Sequence, residues 1–170
     1  MFRDSQFTAD RRSASVKRIN DVINLRGRQF REDNGPLAHP VRPDSFVEIN
    51  NFYTTTVYEK GAELIRMLKT LIGDTSYAKA VALYFERHDG DAATIEDWLA
   101  VFEDSTGRDL TQFKVWYEQA GTPRLTVRDS FENGQYMLHF KQHTPETPGQ
   151  SKKDPRVIPI AVGLLDSSGK

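Results

Sequence analysis

Apolar residues recur at helical spacing over most of the chain, from about residue 10 to residue 121. The pattern predicts five helices, of which the clearest spans residues 57–72 and is followed by Gly73, a residue typical of a helix end. Short links between the helices predict antiparallel neighbours. The residues that define the five helices are, in chain order, Val16, Ile19, Val22, Ile23 and Phe30; Val57, Gly61, Leu64, Ile65, Leu68, Leu71 and Ile72; Val81, Ala82 and Phe85; Trp98, Leu99 and Phe102; and Phe113, Trp116 and Tyr117.

Residues that favour helix ends separate these segments. Thr94, with Asp97 three positions later, predicts a capping box at the start of the fourth helix, and Gly107 predicts its end. The other predicted boundary residues are Asp74 or Thr75 at the start of the third helix, Asp109 with Gln112 at the start of the fifth, and Gly121 at its end.

The spacing of apolar residues changes to two after Thr122, which indicates strands. Asn133-Gly134 is a strong hairpin-turn signal, and a polar, proline-rich loop at about 144–155 leads to a further predicted strand at 157–165. The fold class is therefore α+β, with a helical part at residues 1–121 and a β part at 122–170. Three strands are too few to close a sandwich, so the β part is predicted to be truncated. The alternating apolar residues of the hairpin are Leu125, Val127, Tyr136, Leu138 and Phe140.

Composition narrows the choice of partners. The chain has 170 residues, 38% hydrophobic residues and a formal net charge of −1, which is ordinary for a globular protein and gives no reason to expect nucleic acid or an anionic membrane as a partner. No apolar run approaches the roughly 20 residues that span a bilayer, and the N-terminus shows no secretory signal. A cytoplasmic location is therefore expected. The absence of cysteine excludes disulfides and thiolate metal ligands.

Histidine and acidic side chains offer no metal site in the sequence. His139 and His143 lie on a predicted strand, where four residues span about 13 Å, and imidazoles that each lie about 2 Å from zinc cannot bridge that distance. Both are expected to face solvent, and His39 and His88 are expected to be structural or solvated. Most of the many Asp and Glu residues are expected to lie on the solvated faces of helices.

The segment 50–62 (NNFYTTTVYEKGA) places two tyrosines and two asparagines at the start of the clearest helix. Gly61 lies inside that helix, where glycine costs about 1 kcal/mol relative to alanine. It predicts that another group packs very close to the backbone. One interpretation of the segment is a helix start with tyrosines half-buried against the core. The other is a phenol that points into a cleft near the positive end of the helix and donates to a developing oxyanion.

Several segments resemble the aminopeptidase N family of gluzincin zinc metallopeptidases, and its bacterial branch in particular. Residues 57–63 (VYEKGAE) are similar to the tyrosine-containing YxKG segment of that family. Residues 84–90 (YFERHDG) and 92–94 (AAT) resemble the bacterial enzymes. Residues 116–123 (WYEQAGTP) resemble the passage from the catalytic domain into a small β-sandwich, and residues 2–4 (FRD) the stretch after the helix that bears the third zinc ligand.

The resemblance implies roles for individual residues. Tyr58 aligns with the family tyrosine that donates its phenol to the carbonyl oxygen as the tetrahedral intermediate forms. Asn50 and Tyr53 match positions that line the substrate cleft. Lys60 and Gly61 complete the motif, with an expected architectural role. The implied fold is the helical C-terminal part of a thermolysin-like catalytic domain, followed by the start of a β-sandwich.

The resemblance also implies what this chain lacks. The family's GxMEN segment, its HExxH zinc ligands and base, and its glutamate ligand would all lie upstream. The expected function is therefore that of a fragment of a zinc aminopeptidase, which acts on peptides together with the missing N-terminal catalytic part and is inactive alone. The alternative is a non-enzymatic helical module that binds a partner.

Overall fold

Seven α-helices precede a two-stranded antiparallel sheet in the computed structural model, which describes residues 1–165 and 168–169. Two π-helical turns and one 3₁₀ helix accompany the α-helices. Within the described residues, no helix has both the length and the hydrophobicity to cross a membrane. The elements are α1 (Phe2–Arg11), α2 (Ala14–Asn24), a π-helical turn (Leu25–Gln29), α3 (Phe30–Asp33), a 3₁₀ helix (Ile49–Phe52), a second π-helical turn (Thr56–Lys60), α4 (Gly61–Ile72), α5 (Asp74–His88), α6 (Ile95–Thr106), α7 (Thr111–Glu118), β1 (Arg124–Glu132) and β2 (Gln135–His143).

The first predicted helix is present, but it is divided. It begins at α2, where Ser13 caps the first turn by accepting from the Val16 amide at 3.3 Å, and continues through a π-helical turn into α3. Helix α1 before it was not predicted. Its only large apolar residues are Phe2 and Phe7, whose separation of five residues does not give the three-and-four spacing of an amphipathic helix.

The predicted boundaries of α6 are confirmed. The Thr94 hydroxyl accepts from the Asp97 amide at 3.2 Å, while the Asp97 carboxylate accepts from the Thr94 amide at 2.9 Å, which completes a capping box. Gly107 ends the helix with a φ of 67°, a left-handed conformation that favours glycine. Gly73 ends α4 at a φ of 84°.

Helix α7 differs from its prediction at both ends. The Asp109 carboxylate accepts from the Thr111 amide at 2.8 Å, so it forms a local turn before the helix, and Gln112 instead donates to the Pro155 carbonyl at 3.2 Å. The helix ends at Glu118, before the predicted Gly121. The Ala120 and Gly121 amides and the Gln119 carbonyl bond to side chains from other parts of the chain, and this replaces the last helical turn.

The core lies between α4, α5, α6 and α7. Leu68, Val101 and Phe102 have no exposed surface, and Phe113 has 1%. Trp98 packs edge-on against Phe102 with ring centroids 4.6 Å apart. The remaining buried members of this cluster are Val41, Leu64, Ala80, Leu99, Leu110, Trp116 and Tyr117.

The predicted hairpin is confirmed, and the predicted third strand is wrong. Strands β1 and β2 pair with Val127 opposite Phe140, and the turn residues Asn133 and Gly134 both have positive φ. Residues 157–165 form no strand. The start of that segment packs on the helices instead, because Trp116 donates its indole N–H to the Val157 carbonyl at 2.8 Å.

Candidate functional site

Tyr58 lies in the π-helical turn Thr56–Lys60, which continues directly into α4 and is called the tyrosine turn below. Its side chain is 44% exposed, whereas Tyr117 in the core is 3% exposed. The phenol is therefore not a packed core group. π-Helical turns are uncommon and often occur at functional sites.

The exposed face of Tyr58 lines a cavity of about 820 Å³. The wall on the side of the tyrosine turn is largely apolar, and Gly61 leaves part of it without a side chain. Arg42 and Glu96 also line the cavity and form an ion pair, and hydrogen bonds from Arg42 and then Lys114 lower the pKa of Glu96 to about 2. The apolar residues nearest in sequence to Tyr58 in this wall are Phe52, Val57, Ala62 and Ile65.

The structure places Tyr53 beside Tyr58, with the two rings stacked at 6.2 Å between centroids. Asn50 lies one turn earlier on the 3₁₀ helix, and its carbonyl accepts from the Tyr53 amide at 3.4 Å. Both residues are exposed, and neither is among the described residues that line the cavity. Of the three predicted site residues, Tyr53 and Tyr58 are thus in contact, and Asn50 stands apart on the adjoining helix.

Gly61 does not have the very close neighbour that its position predicted. A Cβ atom built there would lie 3.5 Å from Cγ1 of Val41, which is an ordinary van der Waals distance. The backbone at Gly61 has a φ of −57°, so its conformation does not require glycine either. The glycine instead keeps a side chain out of the cavity that Tyr58 lines.

The start of the tyrosine turn is held by side chains from α3 and the preceding π-helical turn. The Thr56 amide donates to the Glu32 carboxylate at 2.7 Å, and the Thr56 hydroxyl donates to the same oxygen. Gln29 donates its amide N–H to the Thr56 hydroxyl at 3.3 Å. Because Thr54 supplies acceptors for the Val57 and Tyr58 amides, the first backbone donors of the turn are all occupied.

The end of the tyrosine turn is held by a buried ion pair. Lys60 donates to the Asp33 carboxylate at 2.8 Å, and both side chains are almost fully buried. Burial lowers the pKa of Lys60 to about 8 although Asp33 opposes the shift. Burial acts to raise the pKa of Asp33, but attraction to Lys60 and three hydrogen bonds outweigh it, so the pKa of that carboxyl lies below its usual value. These contacts give Lys60 the architectural position that its motif predicted.

Asp33 and Arg156 also hold the junction between the helices and the hairpin. The Asp33 carboxylate accepts from the Gly121 amide at 2.8 Å and from the Thr122 hydroxyl at 2.9 Å. Arg156 is 1% exposed, donates to the Gly121 carbonyl at 2.7 Å, and lies over the Trp116 ring at 4.8 Å. The passage from helices to strands is therefore fixed by buried charges.

Sequence reasoning missed these charged partners and treated acidic residues as solvated. Asp33 is 1% exposed, so that expectation is wrong for it. One signal was available: Lys60, Leu64 and Leu68 follow each other at four-residue spacing on one face of the helix. A charged lysine buried in an apolar stripe is usually paired with a carboxylate. The stripe does not identify which carboxylate that is.

The histidines lie where the sequence predicted. His139 and His143 are exposed on β2. His88 ends α5 with its ring against Tyr84, and Nδ1 of His39 lies 2.8 Å from the Pro40 carbonyl. Within the described part of the chain, no group of three or more His, Asp or Glu side chains is placed to hold a metal ion.

Comparisons with known proteins agree with this architecture. A family model described as the Peptidase family M1 domain matches residues 2–117, and one described as a domain of unknown function with an Ig-like fold matches residues 121–170. The chain is 52% identical over 172 residues to aminopeptidase N of Escherichia coli (strain K12), covering 100% of this chain and 20% of that protein. It is 56% identical over 132 residues to aminopeptidase N of Caulobacter vibrioides, covering 78% of this chain and 15% of that protein.

A solved structure shares the fold. The crystal structure of Legionella pneumophila aminopeptidase A in complex with aspartic acid matches 98% of this chain and 18% of that chain, with a TM-score of 0.74 and 32% identity. This chain therefore spans no more than about a fifth of the length of these relatives. Helices followed by antiparallel strands of an Ig-like domain confirm the predicted fold class. The chain belongs to peptidase family M1, as the resemblance of its YxKG segment to aminopeptidase N predicted.

Proposed function

We propose that this chain is part of a zinc aminopeptidase that removes N-terminal amino acids from peptides. Its helical residues 1–121 would complete the C-terminal side of the catalytic domain, and residues 122–170 would begin a β-sandwich. Family membership supports the activity, since the relatives reported above are aminopeptidases. The ends of the two family matches, at residues 117 and 121, support the domain boundary.

Tyr58 is the residue proposed to act on the substrate. Its phenol would donate a hydrogen bond to the carbonyl oxygen of the scissile peptide as negative charge develops there. The observation that carries this proposal is its exposure on a cavity wall, on a turn held at both ends by buried partners. A tyrosine with only a packing role would be buried as Tyr117 is.

Asn50 and Tyr53 are proposed to line the substrate cleft of the parent where it extends beyond the cavity at Tyr58, since neither lines that cavity. Tyr53 stacks on Tyr58, so it can contact the part of a substrate that approaches the reacting carbonyl. Asn50 is exposed on the helix just before it, where its amide can donate to and accept from a peptide.

The zinc ion of the proposed enzyme would be bound by other residues of the parent protein. The described side chains offer no fitting ligand set, so no zinc-dependent step is assigned to this chain. In the parent, zinc would polarise the carbonyl of the scissile peptide and activate a water molecule. The chain alone is accordingly proposed to be inactive and to act with the N-terminal part of the catalytic domain; its cytoplasmic location remains a prediction.

The partner-binding alternative draws support from α2, whose residues Val16, Ile19 and Ile23 are each more than half exposed. An apolar helix face of this kind is usually covered by another surface. The family assignment favours the aminopeptidase. The relatives extend far beyond the matched segment, and the corresponding residues of the parent would cover the apolar face of α2.

The test is the replacement of Tyr58 by phenylalanine in the full-length parent, followed by steady-state kinetics on an aminoacyl-naphthylamide. The change removes one hydroxyl and keeps the ring, so kcat and kcat/KM should fall together, by about a hundredfold, with KM little changed. Tyr53→Phe should act mainly on KM. Full activity of Tyr58→Phe with normal zinc content would contradict the role proposed for the phenol.

A further inference from the structure

A phenol that stabilises a transition state must be held close to its productive position, within about 0.5 Å. Tyr58 is carried by a π-helical turn, an uncommon geometry that is held here by side chains from outside the turn. The contacts that hold this turn therefore decide where the phenol lies. They come from adjacent residues of α3, because Glu32 bonds the first residue of the turn and Asp33 bonds the last.

We propose that Glu32 is a positioning residue for Tyr58: its carboxylate holds Thr56 and thereby sets the direction in which the tyrosine turn presents its phenol. This inference rests on the role proposed for Tyr58. Glu32 does not line the cavity among the described residues, so it acts through the turn and not on the substrate.

The geometry at Thr56 explains why this contact restricts the turn. Thr56 has no exposed surface, so water cannot replace a lost partner without opening the packing. One oxygen of Glu32 accepts from both the Thr56 amide and the Thr56 hydroxyl, and that hydroxyl also accepts from Gln29. The backbone and the side chain of one residue are thus fixed together.

The second point of attachment is at the other end of the turn. Lys60 is fixed to Asp33, which is itself bonded to Gly121 and Thr122. With both ends held, the first residue of the turn has a fixed position relative to its last. Without Glu32, Thr56 keeps only its side-chain bond to Gln29, and a shift of the start of the turn moves the phenol of Tyr58. His39 Nε2 lies 3.8 Å from the same Glu32 oxygen, which is beyond hydrogen-bond distance.

The test is a double-mutant cycle in the full-length zinc-loaded enzyme, with Glu32→Ala and Tyr58→Phe as the single variants. Glu32→Ala should lower kcat by about tenfold to a hundredfold, the scale of a small misplacement at a reacting centre, with little change in KM. In the Tyr58→Phe background, Glu32→Ala should lower kcat by less than about twofold, since the hydroxyl that Glu32 positions is already absent. Glu32→Gln, which keeps the acceptor oxygen, should restore most of kcat.

Glu86→Ala is the matched control. It removes an exposed carboxylate from α5, away from the tyrosine turn, and kcat should not change, since Glu86 has no described side-chain hydrogen bond or ion pair to lose. If Glu32→Ala does not accumulate as folded enzyme, Thr56→Val provides a second cycle, because it replaces the hydroxyl by a methyl group and removes the side-chain bonds to Glu32 and Gln29.

Two results would overturn the role of Glu32. One is full activity of Glu32→Ala. The other is an equal loss of kcat from Glu32→Ala with and without the Tyr58 hydroxyl, which would mean a general structural role. Failure of the proposed function gives a different signature, because Tyr58→Phe alone would then be fully active.

Discussion

Lys60 shows how a single residue connects the motif to the fold. Its position at the end of the tyrosine turn, in line with the apolar stripe of α4, removes its ammonium from water, which costs several kcal/mol unless a carboxylate compensates. Asp33 provides that compensation and is in turn held by Gly121 and Thr122. The lysine of the YxKG segment therefore stabilises the site without touching the cavity.

Replacing Lys60 with methionine should destabilise the protein strongly. Methionine fills a similar volume but leaves the Asp33 charge buried and unpaired, which costs about 3 to 5 kcal/mol. Urea unfolding followed by tryptophan fluorescence measures the loss. Lys79→Met, at an exposed position of α5, is the matched control and should change stability by less than about 0.5 kcal/mol. Equal effects of the two variants would show that the ion pair contributes nothing.

The sequence predicts some of these residues better than others. Tyr58 could be proposed because it belongs to a short motif whose residues are neighbours along the helix. Glu32 and Asp33 could not, since each bonds a residue at least 24 positions away, and their local sequence resembles a solvated helix end. A charge pattern along one helix does not indicate its partner on another.

Helix α6 is the element whose local sequence and structure agree most closely. Its capping box forms as predicted, and its last residue is followed by a glycine in the left-handed conformation. Such signals are local, because the donors and acceptors lie within one turn of each other. Helix ends of this kind can therefore be predicted from the sequence without knowledge of the fold.

Thr94→Ala tests the contribution of this cap. The change leaves the Asp97 amide without its acceptor and should lower the free energy of unfolding by about 1 kcal/mol. Urea unfolding of the chain measures it. Thr75→Ala, in the exposed first turn of α5, is the control and should stay within about 0.5 kcal/mol of the original chain. A Thr94→Ala variant that unfolds at the original midpoint would mean that the cap is dispensable.

The elements that the sequence predicted wrongly depend on distant contacts. Residues 157–165 have the composition of a strand, yet Gln142 bonds the Arg156 backbone through its side chain, and Val157 bonds Trp116. These contacts direct the segment onto α7 and away from a strand ladder. The tyrosine turn was predicted as ordinary helix, since π-helical geometry has no distinct hydrophobic period.

At the scale of the whole molecule, buried charges join the helices to the hairpin. Arg156 donates to three successive carbonyls, those of Gln119, Ala120 and Gly121, and Asp33 bonds the same junction from the helical side. The hairpin beyond it has apolar side chains exposed on both strands, including Val127 and Phe140. An Ig-like domain would require further strands to cover them.

The isolated chain should neither retain zinc nor cleave peptides. The described residues offer no ligand set, and a phenol without a nucleophile cannot hydrolyse an amide. Metal analysis after chelation, zinc reloading and desalting, with an aminoacyl-naphthylamide assay, measures both. The full-length parent treated in the same way is the control. One tightly bound zinc per isolated chain would contradict the proposal that the ligands lie elsewhere in the parent.

The central claim is that the Tyr58 phenol meets an oxyanion that exists only in the transition state. The most direct measurement is of inhibition constants for the parent enzyme and its Tyr58→Phe variant. Two inhibitors are compared: a phosphinic peptide analogue, which imitates the tetrahedral species, and a free amino acid, which does not. The account predicts that the phosphinic analogue binds the variant about a hundredfold more weakly, while the amino acid binds both equally. Unchanged affinity for the phosphinic analogue, in a variant with full zinc content, would contradict it.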